Sequence, residues 1–179
     1  SLKIFCLAFS ACFCCAGSLL AEDNNPHTDK MVNEKLNLTQ EWDKVFPKSD
    51  KVTHRKVSFR NRYGIMLAAD LYMPRNVNEK LPAIAVSGPF GAVKEQSAGL
   101  YAQTMAERGF LTIAFDPSYT GESGGFPRYV ASPDINTEDF CAAVDYLSTR
   151  DDVDSERIGI IGICGWGGMA VNAAAIDTR

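Results

Sequence analysis

Cys164 is the residue of this sequence best placed to do chemistry. It lies in the stretch RIGIIGICGWGGM, residues 157–169, directly after an apolar run broken only by Gly159 and Gly162. That run, 158–163, predicts a short strand buried on both faces of a parallel sheet. Gly165, Gly167 and Gly168 then lead into an alanine-rich segment, 169–176, that predicts a helix. Strand, glycine-flanked nucleophile and helix in succession form the setting of a nucleophile elbow. The glycines fit a strained turn, where side chains would collide with strand and helix. A helix N-terminus behind the thiol favours its thiolate and offers backbone N–H groups to an oxyanion.

The pattern is imperfect. An elbow reads GxSxG, whereas here Gly162, Ile163, Cys164 and Gly165 are followed by the bulky Trp166. Shifting the register by two places would centre the turn on Trp166, which has no nucleophilic atom. The competing reading makes Cys164 a small buried hydrophobe in a glycine-rich turn. A second stretch, Gly121-Glu-Ser-Gly-Gly125, satisfies GxSxG literally, but no apolar strand runs into Gly121 and Phe126-Pro127 stand where a helix should begin. Ser123 is therefore expected to stabilise a loop.

A nucleophile of this kind needs an acid and then a histidine after it in the chain. Residues 165–179 offer one acid, Asp177, on the expected helix, and no histidine. His27 and His54 precede the nucleophile and neither is placed to serve as its base. The expectation is that acid and histidine lie beyond residue 179, and that 51–179 is the N-terminal part of a longer domain.

The elements that must position Cys164 follow from periodicity. Alternation over 56–73 predicts two strands joined at 61–64, followed by a loop over 74–80. Strands are then expected over 81–86, 110–115 and 158–163, with helices over 97–108 and 136–148 between them. Alternating units of this kind predict an α/β fold, a doubly wound and mostly parallel sheet with helices on both faces. Its ligand crevice belongs at the carboxyl ends of the strands. The loops there are SGPFGAVKEQ, DPSYTGESGG and the elbow.

Ahead of this domain, Lys3 precedes a charge-free run over 4–20, and Ala21 is followed by Glu22 and Asp23. That predicts a secretory leader over 1–21 and an exported protein, periplasmic or secreted, with no stable membrane insertion once the leader is removed. Lipid attachment at Cys12, Cys14 or Cys15 is the alternative. Residues 22–50, carrying Trp42, Val45 and Phe46 before Pro47, read as a lead-in that docks a few aromatics on the domain. Four of the six cysteines fall in the leader, leaving Cys141, expected in the core, and Cys164. No disulfide framework, CxxC zinc site or cofactor is implied. A net charge of -4 with no basic stripe argues against a nucleic-acid partner.

The elbow, the loop 116–125 and the loop 87–96 together resemble an α/β-hydrolase, and GPFGAVKEQ with GICGWGG resembles the dienelactone-hydrolase-like branch. The resemblance covers most of 51–179. It implies an oxyanion hole built from the backbone N–H of Gly165 and of Phe90, and a small-molecule acyl substrate. Gly88 stands where the family often has histidine. Three readings remain: an exported hydrolase of ester, lactone or related acyl bonds using Cys164, a non-catalytic binding protein of the same fold, and an inactive truncated product. The sequence does not fix the oligomeric state.

Overall fold

The computed structural model describes residues 35–178; the expected leader and the first part of the lead-in lie outside them. The elements are β1 (Val52–Arg60), β2 (Met66–Pro74), β3 (Leu81–Ser87), α1 (Ser97–Ala106), β4 (Leu111–Phe115), α2 (Pro133–Ser148), β5 (Val153–Gly162) and α3 (Trp166–Ile176). The strands form one sheet in the order β1-β2-β4-β3-β5. β3 pairs parallel with β4 and with β5, while the hairpin β1-β2 adds to β4 antiparallel. The α/β architecture is the expected one, and the antiparallel share comes from the hairpin, whose tight turn at 61–64 allows no other pairing.

Successive strand residues face opposite ways, so each strand feeds two cores. Ala69, Leu71, Ala85, Ile113 and Phe115 face α2 and α3. Tyr72, Ile84, Val86 and Ala114 face α1, which presents Ala98, Ala102 and Ala106. Alanines on α1 let the helix lie close to the sheet. From the lead-in, Phe46 enters this second core and Trp42 packs against it, while the Val45 side chain is 74% exposed.

Boundaries shift for identifiable reasons. α2 starts at Pro133, three residues before the expected start: proline suits the first helical position, and the Asn136 side chain accepts the Ser132 N–H at 2.9 Å. α1 stops at Ala106 because Gly109, at φ 99°, turns the chain so that Phe110 N–H returns to Met105 O. β5 begins at Val153, five residues early, since Val153 pairs with Leu81 ahead of a register shift and Glu156 and Arg157 stay exposed between the two paired stretches. β5 is the last strand of the described sheet, and Ile158, Ile160 and Ile161 are half-buried there.

A buried carboxylate ties three segments beneath the site. Asp139 of α2 accepts hydrogen bonds from Asn61 Nδ2 (2.8 Å), Ser118 N–H (2.8 Å), Ser118 Oγ (2.7 Å) and Asn136 Nδ2 (3.0 Å). Burial pushes its pKa up and those donors work against the rise. Asp139→Ala leaves several buried donors unpaired and is expected to lower stability by about 3 kcal/mol or more, with Asp139→Asn intermediate. Urea unfolding at neutral pH measures both.

Candidate active site

Cys164 occupies the turn between β5 and α3, is exposed, and has φ 56°. That left-handed conformation is uncommon for a residue with a side chain and strains the backbone by about 1–3 kcal/mol. The turn closes through Trp166 N–H to Ile163 O (3.2 Å) and Gly167 N–H to Cys164 O (3.0 Å). Ile163 N–H donates to Ser87 O at 3.0 Å, prolonging the β3-β5 pairing up to Cys164. A Cβ on Gly162 would strike the Trp166 backbone, so strand and helix approach as closely as they do only because Gly162 lacks one.

Phe90, from the loop after β3, lies over the same turn: a Cβ on Gly165 would collide with its ring. Among the described residues, neither Phe90 N–H nor Gly165 N–H donates to a backbone carbonyl. The structure therefore brings Cys164, Gly165 and Phe90 together. The two departures from the family pattern explain each other, because any side chain at Gly88 would overlap the Trp166 indole. Trp166 is buried and takes the room that a histidine at position 88 would need.

The other candidates lie elsewhere. His54 is on β1 and Cys164 follows β5, the two opposite edges of the described sheet, a separation of roughly 19 Å across four strand spacings. His54 Nε2 is instead 2.8 Å from Asp70 Oδ1. Asp177 ends α3, whose 11 residues carry it about 16 Å from the elbow. Cys141 is buried, and burial pushes its thiol pKa up. Ser123 is buried too: its Oγ donates to Asp116 O (2.6 Å) and accepts Ala68 N–H (2.8 Å), which makes it a brace for its loop.

What sequence reading missed is the ionic network that fixes the two loops flanking the elbow. Asp116, at the end of β4, is fully buried and accepts Lys94 Nζ (2.8 Å), Lys94 N–H (2.8 Å) and Glu122 N–H (2.9 Å). Lys94 Nζ also meets Glu122 (2.7 Å) and Glu95 (2.6 Å). Lys56 Nζ sits among Glu122 (2.6 Å), Asp43 (3.2 Å) and Glu95 (3.2 Å), so those three carboxylates, close enough to cage a cation, already enclose an ammonium. Lys44 pairs with Asp43 at 2.6 Å and lies 3.1 Å from Asp70, without hydrogen-bond alignment to Asp70 Oδ2. Thr39 N–H donates to Glu122 at 2.7 Å, which attaches the lead-in to the network. Lys94 and Asp116 both stand in the loops that carry the family resemblance, but nothing local marks them as partners.

Burial alone would lower the Lys94 pKa; Asp116, Glu122 and Glu95 more than reverse this and push it up. Burial raises Glu122, yet hydrogen bonds from Lys56, Lys94 and Thr39 N–H override it and hold the carboxyl at about 2.

Beside the elbow is a cavity of about 290 Å³, whose lining includes Phe90, Pro117, Thr120, Tyr129, Val130 and Trp166. It opens at the carboxyl ends of β3 and β4, where a ligand crevice was expected. Cys164 itself does not line it; the rings of Phe90 and Trp166, 5.1 Å apart, do, and the Phe90 ring also lies against Gly165, the neighbour of Cys164. No helix among the described residues is long and apolar enough to cross a membrane.

With a mixed sheet of this order and a nucleophile-type turn on its parallel strands, the molecule has the architecture of an α/β hydrolase. Residues 63–179 match the family of X-Pro dipeptidyl-peptidase (S15 family), and the chain belongs to that family. It is similar to the uncharacterized protein PA2218 of Pseudomonas aeruginosa, 74% identical over 83% of this chain and 40% of that protein. The uncharacterized protein YcjY of Escherichia coli K12 is 50% identical over 70% of this chain and 42% of its own length. Thiohydrolase aneE of Aspergillus aculeatus is 32% identical over 73% and 40%. Among solved structures, PA2218 superposes with a TM-score of 0.80 over 82% of this chain and 46% of that one. The alpha/beta hydrolase GrgF from Penicillium sp. sh18 gives 0.66 at 26% identity over 71% and 43%. The chain thus spans about 40% of the length of the curated relatives it matches.

Lys94→Met strips Asp116 of its cation and is expected to cost about 3–5 kcal/mol in chemical unfolding at neutral pH. Glu122, with its pKa depressed on folding, contributes stability that is complete above its ordinary value of 4.5 and is lost as pH falls towards about 2. Subtracting a Glu122→Gln titration of unfolding free energy from that of the wild type should isolate a loss within this window. A difference independent of pH there would contradict the assignment. Asp116 and Asp139, both raised by burial, act with the opposite sign and are common to both proteins.

Proposed function

We propose that this chain is the nucleophile-bearing part of a hydrolase of ester, thioester or related acyl bonds, with Cys164 as the attacking group. The observation that carries the reading is the exposed thiol at φ 56° on the turn from β5 into α3. Strain of this sort persists where a nucleophile must be presented. The relatives named as a thiohydrolase and an alpha/beta hydrolase support acyl chemistry. GPFGAVKEQ and GICGWGG favour a place near the dienelactone-hydrolase-like branch within the superfamily.

In this mechanism a histidine takes the thiol proton, and the Cys164 thiolate attacks the acyl carbonyl carbon, forming a C–S bond. The carbonyl electrons move to oxygen, where the N–H groups of Gly165 and Phe90 hold the developing charge. Collapse breaks the bond to the alcohol or thiol, which leaves with the proton from the imidazolium. Water then attacks the thioester, releasing the carboxylic acid and restoring the thiol. We assign the histidine and its acid to residues beyond 179. The position of His54 on the far edge of the sheet and the share of the relatives that this chain spans support that assignment. We also propose that 1–21 act as an export leader, on the strength of the charge-free run 4–20.

In the full-length protein, Cys164→Ala is expected to lower turnover of an aryl acetate by about 10³-fold or more, while Cys164→Ser keeps part of the rate. Release of the phenol measures this, and undiminished turnover by the alanine variant would overturn the reading.

A further inference from the structure

The cavity beside the elbow is lined by residues of the loops after β3 and β4 and by Trp166 at the start of α3, and none of these lining residues is charged. Phe90 and Trp166 make one aromatic wall, with planes inclined by 33°. Val130 and Pro117 add apolar surface, and Thr120 and Tyr129 supply the polar atoms. Two of the lining rings also face solvent: Phe90 is 51% and Tyr129 88% exposed. The exposed rings of Phe90 and Tyr129 at one opening, beside the buried Trp166, mark a surface that takes a ligand.

The loop that carries Tyr129 is held in place. Arg128 points back into the preceding turn, donating to Gly121 O at 2.7 Å and to Ser123 O, while Tyr129 N–H donates to Tyr119 O at 2.9 Å. Tyr129 stays at φ 61°, a conformation a tyrosine does not adopt without such restraint. The anchoring turns the charged neighbour inward and leaves the phenol ring at the mouth.

From this lining we infer that the acyl group accepted here is uncharged and carries a flat apolar ring, an arylacyl ester or thioester, with Phe90, Trp166 and Tyr129 as the determinants. A carboxylate or ammonium on the acyl chain would be desolvated against these walls with no opposite charge to meet it. A ring gains stacking contacts that an acetyl group cannot make. A volume of about 290 Å³ suits a single ring and its short linker rather than a large polycyclic group.

The inference rests on the acyl-hydrolase reading, and two measurements on the full-length protein separate them. First, kcat/KM is compared for p-nitrophenyl 3-phenylpropionate, p-nitrophenyl acetate and the p-nitrophenyl monoester of succinate. The arylacyl ester should exceed each of the others by about tenfold or more, and this ratio should collapse in Tyr129→Ala but persist in Tyr129→Phe. Second, binding of methyl 3-phenylpropionate and of monomethyl succinate to Cys164→Ala is followed by calorimetry, with the first expected to bind at least about tenfold more tightly. Turnover without the preference overturns the inference and leaves the nucleophile reading standing. Preferential binding without wild-type turnover sinks the nucleophile reading and supports the inference. Equal binding of both methyl esters, or a preference for the charged one, overturns it.

Discussion

The buried pair of Lys94 and Asp116 is the interaction on which the geometry of the site depends. Lys94 belongs to the loop after β3, which also supplies Phe90, and Asp116 begins the loop after β4, which supplies Pro117, Thr120 and Gly121 to the cavity. Both side chains are withdrawn from water, so each requires the other: an unpaired charge there would cost several kcal/mol. Asp116 also fills the space beneath Gly121, where a Cβ would strike its carboxylate, and this fixes the sharp bend at Gly121. A single ion pair thus sets the spacing of the two loops that flank the elbow. Lys56, Glu122 and Thr39 carry the same constraint outward to the lead-in segment.

The elbow depends on a different kind of constraint, close packing. Gly162 lets α3 approach β5, Gly165 admits the Phe90 ring, and Gly88 admits Trp166. At each of these positions a neighbour already occupies the place of the missing Cβ. Cys164 is the residue of the turn left with an exposed side chain at positive φ, presented rather than packed. Packing sets where the thiol stands, and the ion pair sets what surrounds it.

The order of strands and helices was legible because hydrophobic period and turn residues act locally, and the turn at 61–64 and the helix ending before Gly109 are of that kind. Ser123 could be set aside from sequence because no strand leads into its motif, and its two short hydrogen bonds show the bracing role that remained. Trp166 and Gly88 each looked like a defect when read singly. They are complementary shapes brought together by the β3-β5 pairing, which no local pattern reveals. The Lys94–Asp116 pair was hidden for the same reason, since 22 residues separate the partners and a buried lysine has the same local signature as an exposed one. The early start of β5 was missed because Asp154, Glu156 and Arg157 read as loop, and the pairing of Val153 with Leu81 that begins the strand joins residues far apart in the chain.

The central claim is that the Cys164 sulfur carries the acyl group. Its most direct test is rapid acid quenching of the full-length protein during turnover of an aryl ester, followed by peptide mass spectrometry. The account predicts an acyl adduct, labile to hydroxylamine, on the peptide that follows Arg157 and localised to Cys164. An adduct on Ser123, or turnover at full rate with Cys164 blocked by prior alkylation, would contradict it.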